Sequence, residues 1–290
     1  MERKRIAVTG AGGQLGRDLC PLLERSGYDP IGWDRSDLDI TDAQAVMRKI
    51  EEFRPDAVVH TAAYTKVDQA EKDSEAAYSV NAVGTRNVAL AAEAVGAKLV
   101  YISTDYVFPG TGRDPWHESR ETEPLNVYGH SKRAGEWIVS SVHSRWFVAR
   151  TSWVYGSHGH NFVKTMLHLA GEKDVLEVVN DQVGCPTYTV DLSQAIIRLL
   201  ESEKYGTYHV SNSGQCSWFE FAKRLFELAG VSVQVNPVTS ERYPRPAKRP
   251  AYSVFEHRAL KANGFPPMRP WEEALSEFVT HYSDKERRGG

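Results

Sequence analysis

The arrangement that most constrains this chain is a strand, a glycine turn and a helix at its start. Arg5-Ile-Ala-Val-Thr9 is a short apolar run of the kind that forms a buried strand. It leads into Gly10-Ala-Gly-Gly-Gln-Leu-Gly16, after which Arg17 to Arg25 has helical spacing. Glycines let a backbone approach a phosphate closely, and the first turn of a helix offers free N–H groups at the positive end of its dipole. The spacing Gly10-x-x-Gly13-x-x-Gly16 differs from the commoner G-x-G-x-x-G, but its setting between a strand and a helix is what a dinucleotide fingerprint requires.

The pattern then repeats. Tyr28 to Trp33 reads as a second strand, and Asp34 follows it at about the distance expected of a ribose-binding carboxylate. Arg35 comes next and suits a 2′-phosphate, so the pair leaves NADH and NADPH both open. Asp56 to His60 is a third strand. Its exit, Thr61-Ala62-Ala63-Tyr64-Thr65, is small and uncharged, which suits a dinucleotide lying across the sheet edge. One long helical region is expected from about Ser74 to Ala94, with Asn81 inside it. Lys98 to Ser103 is a fourth strand that delivers Thr104 to a carboxyl end, where ligands of open parallel sheets bind. Trp146 to Arg150 is a fifth. Strands alternating with helices imply an α/β fold, a Rossmann-type doubly wound parallel sheet with right-handed crossovers.

Between the fourth and fifth strands lies Pro124-Leu-Asn-Val-Tyr-Gly-His-Ser-Lys-Arg-Ala-Gly-Glu136. Tyr128 and Lys132 are four apart, so on a helix they share one face. A phenol beside a fixed ammonium is a proton-donating device, because the positive charge is expected to favour the phenolate and lower the phenol pKa.

Beyond residue 155 the alternation weakens. The expected division is a dinucleotide-binding domain over 1–155 with a return at 189–215, and a smaller substrate-binding domain over 156–188 and 216–283. Residues 284–290 are charged and Gly-ended, and are expected to fray. Val238 to Pro250 is rich in proline and basic residues. It reads equally as a solvated loop or as a wall for a diphosphate, since Arg suits bidentate phosphate contacts. His158-Gly-His160 has no cysteine or carboxylate cluster beside it and reads as a loop, so no metal is assigned.

The totals narrow the function classes. A formal net charge of −3 gives no field that would draw the chain to nucleic acid or a membrane surface. No apolar run is long enough to span a bilayer, and the N-terminus lacks a signal-peptide core. Cys20, Cys185 and Cys216 are odd in number and far apart, which fits a reducing, cytoplasmic setting. Monomer and homodimer both remain open.

The glycine turn, Thr104 and Tyr128-x-x-x-Lys132 together resemble the extended short-chain dehydrogenase/reductase superfamily. Six further strings narrow the likeness: Ala62-Ala-Tyr-Thr-Lys-Val-Asp-Gln-Ala-Glu71, Ser103-Thr-Asp-Tyr-Val-Phe-Pro-Gly110, Leu125-Asn-Val-Tyr-Gly129, Arg150-Thr-Ser-Trp-Val-Tyr155, Asn161-Phe-Val-Lys-Thr-Met166 and Asp181-Gln-Val-Gly-Cys-Pro-Thr187. In this order they resemble the dTDP-4-dehydrorhamnose reductase family from about residue 5 to 280.

The resemblance implies a reaction and a set of roles. Tyr128 would give a proton to the C4 carbonyl oxygen of a dTDP-sugar. Lys132 would hold the nicotinamide ribose, and Thr104 would hydrogen-bond the same carbonyl oxygen. Asp105 and Trp153 would contact the sugar, with the Asp181–Thr187 turn over its site. Gly13, Gln14 and Leu15 would lie on the pyrophosphate, with Asp34, Asp39 and Ile40 near the adenosine, while Ala63, Tyr64 and Thr65 would line the cofactor trough. Arg249 is the favoured diphosphate contact, because Arg249-Pro-x-Tyr-Ser resembles a family string.

Two other readings stay open. One is an epimerase on the same scaffold. The other is a non-catalytic subunit like the regulatory subunits of methionine adenosyltransferase, which has no chemical need for Thr104, Tyr128 and Lys132 together. A dehydratase fits less well, since Thr104 is followed by Asp105-Tyr106 and not by Asp-Glu.

Overall fold

The computed structural model describes residues 3–289. Its first half builds β1 (Arg5–Thr9), α1 (Gln14–Arg25), β2 (Asp29–Trp33), α2 (Ala43–Phe53), β3 (Ala57–His60), α3 (Val67–Ala70), α4 (Ser74–Tyr78), α5 (Thr85–Ala94), β4 (Lys98–Thr104), α6 (Val127–Val142) and β5 (Trp146–Thr151). The chain continues through β6 (Val154–Tyr155), α7 (Phe162–Ala170), β7 (Val175–Val179), β8 (Val183–Gly184), β9 (Thr187–Tyr188), α8 (Thr189–Glu201) and β10 (Gly206–His209). It ends with β11 (Cys216–Ser217), α9 (Trp218–Ala229), β12 (Gln234–Val238), α10 (Arg258–Ala262) and α11 (Trp271–Gly289).

The central sheet has the order β10-β5-β4-β3-β1-β2, and every neighbouring pair in it is parallel. Parallel strands are covered on both faces, so their runs are apolar throughout; Ala57, Val58, Val59 and His60 of β3 are all buried. One face packs Leu15, Leu19 and Leu23 of α1 against Leu192, Ile196 and Leu199 of α8. The other packs α2, α5 and α6, through Val46, Ile50, Val88, Ala92 and Val139. The chain starts in β1, steps out to β2, then returns to the far side of β1 with β3. That reversal opens a crevice at the carboxyl ends of β1 and β3.

A second apolar cluster forms from later elements. Leu176 and Val178 of β7, Phe221 and Leu225 of α9, and Leu275 and Phe278 of α11 make its centre. The short ladders β6–β9, β8–β11 and β7–β12 tie these helices together. Meanwhile β10 pairs with β5, which brings the chain back to the main sheet between the two visits to this lobe.

Two segments differ from the sequence expectation. The region from Ser74 to Ala94 is broken by a π-helical turn at Ser79–Gly84. The extra residue of a π turn re-aims side chains, and such turns often stand at functional sites. Here it carries Asn81. That side chain accepts from the Tyr64 N–H at 2.8 Å and donates to the Tyr64 carbonyl at 3.1 Å and to Ser131 Oγ at 2.9 Å, joining the β3 exit to α6. The second difference is at the C-terminus. Helical backbone continues to Gly289, through the segment expected to fray.

Candidate active site

The carboxyl ends of the first five strands open on one cleft of about 820 Å³. Gly10, Gly13, Gln14 and Leu15 enter it from the β1–α1 turn. Gly10 has φ +69°, and a Cβ there would stand 2.8 Å from the Ala62 backbone, so the turn can close onto the β3 exit only with glycine. Gly13 is the N-cap of α1 and supplies no capping side chain, which leaves the helix's first N–H groups to a ligand. This cradle of bare backbone fits a dinucleotide pyrophosphate.

The β2 exit contributes Asp34, Arg35, Asp39 and Ile40, and the β3 exit Ala62, Ala63, Tyr64 and Thr65. Asp34 turns its carboxylate onto the Gly12 N–H. Its backbone N–H is in turn held by Asp37 at 2.9 Å. Gln14 is used differently from expectation. Its amide donates to the Val154 carbonyl at 3.0 Å and accepts from Asn161 Nδ2 at 2.7 Å. The side chain therefore pins the glycine turn to the second lobe, and only the backbone is left for a phosphate.

The chemistry-bearing residues sit deeper, where β4 and α6 meet. Thr104, Asp105, Tyr128, Lys132 and Trp153 all line the same cleft. Helix α6 starts at Val127 because Asn126 caps it, accepting from the Gly129 N–H at 2.8 Å. Asn126 also donates to the Lys248 carbonyl at 2.7 Å, so one side chain fixes α6 and the 240–250 loop together. Asn126→Ala is expected to cost about 1–2 kcal/mol of stability from the lost cap, measured by urea unfolding, with KM rising more than kcat falls. An unchanged midpoint would show that the cap is not used. Further along α6, Glu136 holds Arg150 through two contacts of 2.9 and 2.7 Å and accepts from Ser103 at 2.5 Å, locking the helix to β5 and β4.

The electrostatics differ from one sequence expectation: the Tyr128 phenol is raised, not lowered. Burial pushes it up to about 12; a hydrogen bond with Thr104 opposes this, and the Asp105 carboxylate adds to it. Lys132 is pulled down to about 7 by its own burial, against the pull of Glu136. Its ammonium nitrogen lies 4.1 Å from the centre of the Tyr101 ring. Thr104 lies between Tyr128 and Asp105, donating to Asp105 Oδ1 at 3.1 Å. Asp105 is buried with Oδ2 unpartnered, and burial raises it to about 6.

Arg249 lies elsewhere. It lines a second cleft, of about 780 Å³, that shares Tyr106 and His160 with the first. Both terminal nitrogens grip Asp68 of α3, at 3.1 and 3.0 Å. This bond is the main cause holding the Asp68 carboxyl below its ordinary value, with burial opposing it. Phe162, Met166, Leu169 and Trp218 give this cleft an apolar floor, and Lys173 and Arg245 join Arg249 in lining it. From the 238–250 segment, Ser240 and Tyr243 line this cleft as well. His158 and His160 are not drawn into a metal site, and among the described residues no group of three or more metal-type ligands occurs. Nor, among the described residues, is any helix long and apolar enough to cross a membrane.

Several of these residues are not legible from sequence. Asn81, Asn126, Asn161 and Trp218 act through contacts far along the chain. Only Asn126 and Asn161 carry a local signal, each as an Asn directly before a helical run.

Comparisons with known proteins give the family. A family model described as the RmlD substrate binding domain matches residues 4–284. The spore coat polysaccharide biosynthesis protein SpsK of Bacillus subtilis is 46% identical, over 96% of this chain and 98% of its own length. A dTDP-4-dehydrorhamnose reductase of Streptomyces griseus is 45% identical, over 95% of this chain and 93% of its own. Among solved structures, the dTDP-4-dehydrorhamnose reductase of Bacillus anthracis, in complex with NADP, superposes with a TM-score of 0.95 at 50% identity, covering 97% of this chain and 100% of that one. With a matching family model over nearly its whole length and these relatives beside it, the chain belongs to the RmlD substrate binding domain family, alongside the dTDP-4-dehydrorhamnose reductases, and is an oxidoreductase.

Proposed function

We propose that this enzyme reduces the C4 keto group of dTDP-4-dehydro-L-rhamnose to give dTDP-L-rhamnose, with NADPH or NADH as reductant, in polysaccharide biosynthesis. One observation carries the reading. Thr104, Tyr128 and Lys132 line a cleft that has a bare glycine cradle and adjoins a groove lined by Lys173, Arg245 and Arg249 together with Phe162, Met166, Leu169 and Trp218.

When bound, the dihydronicotinamide supplies a hydride to the carbonyl carbon. Negative charge then builds on the C4 oxygen, and this chain's donors meet it. Tyr128 gives its phenolic proton to that oxygen. A phenol held up at about 12 is fully protonated at neutral pH, and an alkoxide is the stronger base, so the transfer runs toward the product. Thr104 hydrogen-bonds the same oxygen, and Lys132 holds the nicotinamide ribose. Asp105 and Trp153 contact the sugar. Arg245 and Arg249 face the diphosphate, with Arg249 pre-oriented by Asp68. Every assigned residue comes from one chain, so monomer and homodimer satisfy the reading equally.

The test is nicotinamide absorbance with purified enzyme and dTDP-4-dehydro-L-rhamnose. Substrate-dependent loss of NADPH or NADH absorbance, with dTDP-L-rhamnose as product, is the expected result. Conversion of a nucleotide sugar with no net loss would instead favour an epimerase.

Cofactor choice has its own expected outcome. The Asp34 carboxylate suits a free ribose 2′-hydroxyl and repels a 2′-phosphate, while Arg35 attracts it. Asp34→Asn is expected to shift the ratio of kcat/KM for NADPH over NADH about 10-fold toward NADPH, the equivalent of about one charge interaction. An unchanged ratio would take Asp34 out of the ribose site.

A further inference from the structure

Trp153 stands in an unusual seat. Its φ is +47°, the left-handed region in which a bulky residue is an outlier. Something must hold it there, and its indole is gripped on two sides. On one side the Trp218 indole stacks on it with ring centres 3.5 Å apart and planes 6° from parallel. On the other is Gly184, where a Cβ would come within 2.6 Å of Trp153 Cε2. Both walls of this slot hang from one small ladder: β8 ends in Gly184, β11 runs directly into Trp218, and Cys216 pairs with Gly184. The backbone around Trp153 is fixed by the same neighbourhood. Ser152 Oγ donates to the Cys185 carbonyl at 2.6 Å, and the Trp153 carbonyl accepts from the Thr187 N–H at 3.2 Å.

The pair also has a special place. Trp153 lines the cleft that holds Tyr128, and Trp218 lines the neighbouring groove. The two stacked indoles are therefore a shared wall, with one ring in each cavity. We infer that Trp218 is a positioning residue for the sugar nucleotide: by stacking on Trp153 it fixes the wall that joins the two cavities, and so sets where the sugar sits relative to Tyr128. This rests on the reading of the groove as the nucleotide side of the substrate site. Trp218 acts through Trp153, and the glycine at 184 is required because the slot has no room for a side chain.

The kinetic test is a double-mutant cycle with Trp153→Leu and Trp218→Leu, with Trp218→Phe and Gly184→Ala as companions. Trp218→Leu is expected to raise KM for dTDP-4-dehydro-L-rhamnose about 10-fold, the scale of one aromatic stack. Its kcat should stay within a few-fold, and KM for NADPH should not move. Trp218→Phe should recover most of the loss, because it keeps a stacking face. Gly184→Ala should reproduce the Trp218→Leu signature from the opposite side of the slot. In the Trp153→Leu background, where no stacking face is left at 153, Trp218→Leu should cost little more. Losses that multiply independently would overturn the inference, as would a loss spread over kcat and KM for NADPH alike.

A second readout needs no substrate. Indoles this close couple their transitions, so the near-ultraviolet circular dichroism of the two single Trp→Phe variants should fail to add up to that of the double variant. Additive spectra would overturn the stack. A wild-type enzyme inactive on the keto sugar would overturn the proposed reaction instead, and the spectra would then decide the indole wall by themselves.

Discussion

Tyr128→Phe is expected to lower kcat about 10²–10⁴-fold, the range that a positioned general acid contributes. The substitution removes one oxygen from a half-buried ring and leaves the ring's contacts, including the edge-on packing against Tyr106 at 5.5 Å, in place. Stability should therefore change little, and unfolding midpoints check that. KM for NADPH should hold, and kcat and kcat/KM for the sugar should fall together, because the lost hydrogen bond strengthens only as charge builds on the C4 oxygen. Retention of activity within 10-fold of wild type would mean that another group gives the proton. Asp105 is the structure's next candidate: it is buried beside Thr104 with one oxygen unpartnered, and is raised to about 6. The two donors differ in pH dependence. A carboxyl of that kind loses its proton as pH rises through about 6, so a residual rate from Asp105 would fade above that value. A rate supplied by the phenol would not, since Tyr128 stays protonated far into the alkaline range.

What could be read from the sequence, and what could not, follows from the range of each interaction. The β1–α1 turn was legible because its meaning is local: Gly10 needs a left-handed backbone, and Gly13 must end a turn and begin a helix within seven residues. The inner strands β1, β3, β4 and β5 were legible because they are buried on both faces and so are mainly apolar. Thr104, Tyr128 and Lys132 were legible as residue types in the right places, and all three line the cleft. Their energetics were not. Whether an ammonium tunes a phenol depends on burial and on what else lies near, and Lys132 turns to the Tyr101 ring and Glu136. The same limit hid the use of the Gln14 side chain, whose partners Val154 and Asn161 lie about 140 residues away. Arg249 was singled out as the favoured diphosphate contact from a family string, while its grip on Asp68 across 181 positions could not be seen. The π turn at Ser79–Gly84 escaped for another reason. Its composition suits an α-helix, and the extra residue shows itself only where Asn81 meets Tyr64 and Ser131.

Lys132→Met should separate two roles that one ammonium plays. In catalysis the expected effect is a loss of about 10²–10³-fold in kcat/KM, comparable to removing one charged donor from a preorganised site. In the free enzyme the same change should stabilise the fold. Burial pulls Lys132 down from 10.5 to about 7, so the folded state binds its proton less well than the unfolded chain does. Below about pH 7 both states carry the proton, and the folded state bears the whole cost of a buried charge. Between about pH 7 and the unfolded value the unfolded chain holds more protons, so wild-type stability gains on the variant as pH rises. The melting temperature of Lys132→Met should therefore exceed that of wild type most at acid pH, and the gap should narrow steadily above neutrality. Glu136 is not orphaned by the change, because Arg150 and Ser103 already hold it. The two roles meet when cofactor arrives. Ribose hydroxyls and a nearby pyrophosphate favour the ammonium, so NADPH binding at about pH 8 should draw a proton onto Lys132. Calorimetry in two buffers of different ionisation enthalpy reads this directly: proton uptake in wild type and none in Lys132→Met. Equal uptake in both would place the titrating group elsewhere. A variant less stable than wild type at acid pH would mean that Glu136 and the Tyr101 ring compensate the buried charge in full.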